Sequence, residues 1–323
     1  MMNRRRFLAA GVGAAAAMPL AGSHVLADEG RHVLTATDVH VKDYPTVEAV
    51  RWIGETMARE TGGRLTLRQY HSGQLGREAE AIDMTRVYAG ALNNAFPLTQ
   101  ALCLPYVFDS VPHMRRAMDE GVGKAVLEGF AKRGLVGLAI YDSGARCFYN
   151  THHAIRVPAD LHGLKVRVPV SDIFIRMLRL FGANPTPLSL GEVFSGLETR
   201  MIDGAENNIR SFHSSRHFEA ARYWSQTNHS YAPDVLLVSQ RTLDGLQPRD
   251  RELLVETARQ SVGVMRSLWD ASEAKAREAV FAAGVEHNEA DLAAFARASQ
   301  PLLSEYRKDP AIDALYRRIR DLA

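Results

Sequence analysis

The spacing of apolar residues predicts that strands and helices alternate along the first part of the chain. Residues 32–36 alternate apolar and polar positions and are rich in β-forming side chains, which favours a strand. Residues 45–60 carry apolar side chains at intervals of three and four, the pattern of an amphipathic helix. Further strands are predicted at residues 65–70, 84–88 and 135–141, with a turn and a short helix after His71. This β-α-β opening indicates an α/β domain with a largely parallel sheet.

The pattern restarts near Gly144 and predicts a second α/β unit. Strands are expected at residues 146–150, 165–168, 201–205 and 235–239, and helices at residues 171–181 and 192–200. Residues 248–283 form one uninterrupted helical pattern, about 50 Å long at ~1.5 Å per residue. Because that helix is too long for one compact lobe, we expect it to span two. The predicted lobes are residues 28–143 with 233–271, and residues 144–232 with 272–323, the last part being helical and polar.

The first 27 residues are predicted to be an export signal. Asn3 is followed by three arginines, then Phe7 and Leu8, which matches a twin-arginine motif, and an apolar run follows to Ala17. Cleavage is expected after Ala27. A membrane anchor is the alternative, but the apolar run is far shorter than the ~20 residues of a spanning helix.

Charge and composition exclude several classes of protein. The full chain of 323 residues has 39 basic and 37 acidic side chains, but the signal contains three of the arginines and no acid. The mature protein therefore carries a net charge near −1, without the basic stripe that a nucleic-acid-binding protein needs. At 46% apolar residues it can bury a large core, and its length favours two domains.

Cofactor, metal and nucleophile patterns are weak in this chain. Cys103 and Cys147 are its two cysteines, and their apolar surroundings favour buried free thiols over a disulfide. His213 and His217 have the helical spacing of metal ligands, but the His-Glu-x-x-His arrangement is missing. We therefore expect no metal, no cofactor and no enzymatic activity.

Arg167 is the first candidate ligand residue. It lies in a short apolar strand, next to Val166 and Val168, and a charge in such a strand needs a partner. A ligand carboxylate would supply one through a two-pronged pair with the guanidinium. The alternative is a surface arginine whose stem covers an apolar patch.

Other candidates lie where two lobes would face each other. Arg146, Phe148 and Asn150 share one strand face, although an interdomain salt bridge is an alternative for Arg146. Glu206 and Asn207 directly follow a predicted strand, the usual place for ligands in α/β sheets; the alternative is that Asp203-Gly204 is only a turn and that the asparagines are helix caps. The opposing wall is expected to contain Tyr88 at a strand end and a loop after the first strand, with ordinary loop or core roles as the alternative. That loop contributes His40, Lys42 and Tyr44.

Two motifs resemble a known family. Residues 141–150 and 203–208, together with Arg167, resemble the solute-binding subunits of tripartite ATP-independent periplasmic (TRAP) transporters, closest to a subgroup that binds sugar acids and C4-dicarboxylates. The resemblance implies a two-lobed periplasmic binding protein fold, each lobe a sheet flanked by helices, and implies that Arg167 binds the ligand carboxylate. Two positions depart from the family pattern: the segment between Gly76 and Met84 is short, and Ile209-Arg210 replaces Trp-Pro. The second departure leaves open a contact of Arg210 with a second carboxylate.

The function implied by this resemblance is capture of a small organic acid in the periplasm. We expect a monomer that binds a sugar acid such as a uronate and delivers it to TRAP membrane permease subunits. The alternatives are a binder of C4-dicarboxylates or 2-oxo acids, and a ligand-sensing protein for a membrane receptor. A secreted α/β enzyme is disfavoured because the chain has no nucleophile-base or metal motif.

Overall fold

The computed structural model describes residues 31–76 and 84–323, with the backbone alone for residues 84–88. The predicted export signal and the predicted short helix after Gly76 lie outside these residues. The strands are β1 His32–Thr37, β2 Leu65–Tyr70, β3 Met84–Tyr88, β4 Leu135–Tyr141, β5 Arg146–Asn150, β6 Lys165–Val168, β7 Asn184–Pro187, β8 Gly204–Asn207, β9 Tyr223–Ser230, β10 Asp234–Ser239 and β11 Glu286–Glu289.

The helices include one that is much longer than the others. They are α1 Pro45–Glu60, α2 Ala89–Leu92, α3 Leu98–Cys103, α4 Val111–Ala117, α5 Gly123–Glu128, α6 Asp172–Leu180, α7 Val193–Glu198, α8 Ile209–Ser214, α9 His217–Ala220, α10 Gln240–Asp244, α11 Pro248–Ala282, α12 Leu292–Tyr306 and α13 Pro310–Asp321. Short 3-10 or π-helical turns occupy Met118–Val122, Gly129–Arg133, Pro158–Leu161 and Leu190–Glu192. In the described part of the chain, no helix is both long and apolar enough to cross a membrane.

The predicted β-α-β opening is confirmed. The helix α1 has the predicted bounds, begins with proline in its first turn, and buries Val47, Val50, Ile53 and Met57. A proline in the first turn loses no helical hydrogen bond, because the first N–H groups have no partner within the helix. The buried stripe packs on β1 and β2, so local spacing alone fixed which face of α1 meets the sheet.

The first sheet has the order β2-β1-β3-β10-β4. Its β1 strand is parallel to β2 and β3, but β10 is antiparallel to both β3 and β4. The strands β1, β2, β3 and β4 run in one direction, which agrees with the expected largely parallel sheet, and the insertion of β10 against them makes the sheet mixed. The reason is that β10 brings the chain back from the second sheet, entering at the edge where β3 and β4 end.

The second sheet has the order β11-β9-β5-β8-β6-β7 and is also mixed. The strands β5 and β9 are antiparallel, as are β5 and β8, whereas β6 is parallel to β7 and β8. The sequence pattern missed β7, β9 and β11 and placed β8 too early, at residues 201–205. The β7 sequence contains two prolines, which a strand tolerates at the edge of a sheet, where β7 lies.

Two short crossings connect the sheets. Residues 142–145 lead from β4 to β5, and residues 231–233 lead from β9 back to β10. Gly144 has φ of +64°, and a Cβ there would lie 2.8 Å from a ring carbon of Trp269, so only glycine fits this crossing. Because the crossings are short, the carboxyl ends of β1, β3 and β4 face the edge of the second sheet where β6 and β8 end.

The long helix α11 joins both halves of the fold, as predicted. Its Met265 and Trp269 belong to the apolar cluster beneath the first sheet, whereas Val280 belongs to a cluster on the second sheet. The last helix, α13, packs against α3 and α4, although residues 272–323 are assigned to the second lobe and α3 and α4 to the first. The exact lobe boundaries stay a prediction.

Candidate functional site

Three of the predicted polar residues meet at one edge of the second sheet. Asn207 is the last residue of β8, and Arg167 is the third of four residues in the parallel strand β6. Arg146 is the first residue of β5, which runs antiparallel to β8. The directions of these strands therefore bring Arg146, Arg167 and Asn207, from three separate motifs, to the edge that faces the first sheet.

Arg146 forms a buried ion pair with Glu206. The guanidinium Nε lies 2.5 Å from Oε2 of Glu206, and Nη2 lies 2.8 Å from Oε1. Nη2 also donates to the backbone carbonyl of Glu206 at 3.0 Å. The two side chains are 3% and 0% exposed, so water screens the pair little. The alternative of an interdomain salt bridge is thus replaced by an ion pair between neighbouring strands of one sheet.

His229 completes this buried cluster. Its Nε2 lies 3.2 Å from Oε2 of Glu206, and its Nδ1 lies 2.9 Å from the hydroxyl of Thr227. Burial lowers the pKa of His229, which keeps the ring neutral, so we assign the proton to Nε2 facing the carboxylate. Burial alone would raise the pKa of Glu206, but the charge of Arg146 and the hydrogen bond from His229 hold it below its ordinary value.

The amide of Asn207 has a fixed orientation. Its Oδ1 accepts from Nη1 of Arg146 at 3.1 Å and from the backbone N–H of Asn208 at 2.8 Å. The Nδ2 group, a donor, therefore faces the other way and has no hydrogen-bond partner among the described residues. Asn207 is only 5% exposed, so water satisfies this donor poorly. An oxygen of a bound ligand would supply the acceptor that a buried donor needs.

Arg167 approaches the same edge from the opposite face of the sheet. Its register places it in one row with Ala205 and Tyr149, whereas Glu206 faces the other side. Nε and Nη2 donate to the carbonyl of Leu188 at 2.9 and 2.7 Å, which aims the guanidinium, and the residue is 4% exposed. Arg167 is therefore buried, unlike the surface arginine that was the alternative.

The two histidines considered as metal ligands have other roles. His217 is buried and lies 2.8 Å from the hydroxyl of Tyr149, and burial, helped by the charge of Arg167, lowers its pKa to about 3. The ring of His213 stacks on Phe218. Both cysteines are free and buried, and burial raises the pKa of each thiol to about 12.

Phe148 and Asn150 require a correction. Phe148 is fully buried, stacks on His229 at 4.4 Å and packs against Phe181, so it belongs to the core. The Asn150 side chain accepts from the backbone N–H groups of the two following histidines and donates to a carbonyl, which stabilises the turn after β5. Arg146 and Phe148 do share one face of β5, because Arg146 pairs with Glu206 and Phe148 stacks on His229, which contacts the same carboxylate. The register shift between them adds residues to β9 and leaves β5 regular against β8.

The opposing wall is only partly assembled by the predicted residues. Tyr44 is fully buried and stacks on His40 with ring centroids 3.7 Å apart, whereas Lys42 is exposed. Tyr88 ends β3 opposite Asp234, but its side chain lies outside the described part of the structure. The sequence pattern missed His229 and Thr227, because the β9 segment carries mostly polar side chains on both faces.

Comparison with known proteins agrees with this architecture. Residues 37–309 match the family described as "Bacterial extracellular solute-binding protein, family 7". A solute-binding protein of Chromohalobacter salexigens is 34% identical over 294 residues, covering 88% of each chain.

Two solved structures share the whole fold with this chain. A TRAP periplasmic solute-binding protein from a Bradyrhizobium species, in complex with D-galacturonate, has a TM-score of 0.87 and 43% identity, covering 90% of this chain and all of that one. A second, from Roseobacter denitrificans with bound β-D-glucuronate, has a TM-score of 0.86 and 36% identity, covering 89% and 99%. The chain therefore has the two-lobed binding protein fold and belongs to the extracellular solute-binding protein family 7, whose members are the periplasmic solute-binding components of TRAP transporters.

Proposed function

We propose that this protein binds a hexuronate, such as D-galacturonate or D-glucuronate, between its two sheets. The observation that carries the proposal is the pairing of a buried guanidinium, Arg167, with the oriented donor of Asn207 at the edge that faces the first sheet. A uronate has one carboxylate for the guanidinium and several hydroxyls for amide donors. The similarity of this chain to two relatives solved with bound uronates supports the same ligand class.

The proposed mechanism is capture without chemical change. Arg167 grips the carboxylate, Asn207 donates to a ligand oxygen, and Arg146 acts mainly by holding the Asn207 amide in place. Closure of the lobes buries the ligand, and the closed shape is presented to the TRAP permease. In this proposal the protein is a monomer without enzymatic activity or nucleic-acid partner, exported by the twin-arginine route.

The test is calorimetric titration of the mature protein with D-galacturonate, D-glucuronate, succinate and a 2-oxo acid. We expect a uronate to bind most tightly. Arg167→Ala should weaken that binding about 30- to 4,000-fold, since loss of one partner of a desolvated ion pair typically costs ~2–5 kcal/mol. Arg167→Lys should also bind poorly, because lysine lacks the two-pronged geometry.

The matched control is Arg179→Ala, which removes an exposed arginine of the same half of the chain. Its affinity should stay within about twofold of wild type. Preference for succinate or the 2-oxo acid would overturn the uronate assignment. A folded Arg167→Ala variant that binds within about threefold of wild type would make this arginine structural.

A further inference from the structure

The loop after β1 is held by residues of the second sheet's helix α8. The hydroxyl of Tyr44, in that loop, lies 2.9 Å from Oγ of Ser211. The guanidinium carbon of Arg210 lies 5.2 Å from the centre of the Tyr44 ring, within the range of a cation–π contact. Nη2 of Arg210 also donates to the backbone carbonyl of Asp43 at 3.3 Å. Arg210 and Ser211, near the start of α8, thus contact Asp43 and Tyr44 of the loop across the gap between the sheets.

This loop needs external support. Asp43 has φ of +68°, in the left-handed region that residues with a Cβ seldom adopt. Tyr44 is fully buried, and its ring also meets Trp269 edge-on at 5.9 Å. Burial lowers the pKa of Arg210, while nearby Tyr44 and Asp43 act in the other direction.

The loop conformation determines where His40 lies. The imidazole of His40 stacks face to face on Tyr44, with centroids 3.7 Å apart and an interplanar angle of 7°. The backbone N–H of His40 donates to Asp38 at 2.9 Å, which fixes the start of the loop. Tyr44 therefore supports one face of the His40 ring, and Tyr44 is itself held by Arg210, by Ser211 and, at 3.5 Å, by Nδ2 of Asn208.

We infer that Arg210 and Ser211 are positioning residues for ligand binding, which rests on the proposed function and on His40 as a ligand residue. From the second sheet they fix Tyr44, and through its ring they set the imidazole of His40 on the first sheet. One lobe thereby orients part of the other lobe's binding surface. Arg210 acts through the loop and does not itself contact the ligand.

The experiment is a double-mutant cycle, measured by calorimetric titration with D-galacturonate. Arg210→Ala should weaken binding about 3- to 30-fold, the fold-change that corresponds to loss of a cation–π contact. In the His40→Ala background the same substitution should change affinity by less than about twofold, because the group that it positions is gone. Ser211→Ala should weaken binding in the same direction, whereas Ser214→Ala, one turn further along α8, should not.

Thermal melts show whether each variant is folded. If Arg210→Ala does not fold, Arg210→Lys keeps a cation over the Tyr44 ring and should retain affinity within about threefold. Equal losses of affinity on Arg210→Ala in the wild-type and His40→Ala backgrounds would overturn the inference. A loss of affinity confined to dicarboxylates such as galactarate would also overturn it, because that result indicates direct contact of Arg210 with the ligand. A wild-type protein that binds no uronate refutes the proposed function, whereas normal uronate binding by Arg210→Ala refutes only the positioning role.

Discussion

Replacing Arg146 by alanine should destabilise the protein itself, before any ligand is added. The substitution removes both charged contacts to Glu206, at 2.5 and 2.8 Å, and leaves a carboxylate that is 0% exposed. Removing one partner of a buried ion pair typically costs ~3–5 kcal/mol. The retained bond from His229 offsets only part of this loss, because a neutral imidazole supplies no compensating charge.

The size of this effect can be measured by thermal and urea unfolding without ligand. At roughly 2–3 °C per kcal/mol for a domain of this size, we expect the melting temperature to fall by about 6–15 °C. Adding Glu206→Gln should recover much of the loss, because the uncompensated charge is then gone. The matched control is Arg179→Ala, whose exposed side chain should leave the melting temperature within about 1 °C.

Acidification provides a second check on the same pair. In the wild type the pKa of Glu206 is below its ordinary value. The ion pair therefore contributes its full stability at pH values above the ordinary pKa of glutamate, and this contribution is lost as pH falls through the folded pKa. Without Arg146, burial raises the pKa of Glu206, so the penalty is largest at neutral pH and is relieved as pH falls. The stability gap between wild type and Arg146→Ala should therefore narrow in acid. A gap below about 1 kcal/mol at pH 7, or no recovery with Glu206→Gln, would refute the reasoning.

Three further outcomes can be checked independently. Asn207→Asp keeps an acceptor for Arg146 but replaces the ligand-facing donor by a carboxylate oxygen. Uronate affinity should therefore fall by at least about 30-fold, with little change in melting temperature. Unchanged affinity in calorimetric titration would exclude Asn207 from the site. Between about pH 6.5 and pH 4, the free energy of unfolding should fall less in His217→Gln than in wild type, because the folded pKa of His217 is about 3 and the wild type loses stability as pH falls below the ordinary histidine pKa. Urea unfolding measures this difference, and parallel curves for the two proteins would contradict it. Replacing Arg4 and Arg5 by lysine should trap precursor in the cytoplasm, and an unchanged periplasmic yield by immunoblot would indicate the general secretory route.

Elements whose pattern is local can be predicted from the amino-acid sequence. The period of apolar residues gave α1 its observed bounds and α11 nearly so, because an amphipathic helix repeats its buried face every three or four residues. The strands β2 and β6 were likewise found from alternation and β-forming residues. Arg167 was identified because a charge inside an apolar strand is costly without a partner, a reason that holds for any fold.

Which side chains meet depends on the packing of segments that are distant in the chain. Arg146 and Glu206 are 60 positions apart, and they pair because the sheet places β5 beside β8. His229 reaches the same carboxylate because β9 lies on the other side of β5. The same packing places Phe148 in the core, and the side chain of Asn150 stabilises the turn after β5. Hydrophobic periodicity specifies which face of an element is buried, but the partners on that face depend on strand order, which is set by packing between segments far apart in the chain.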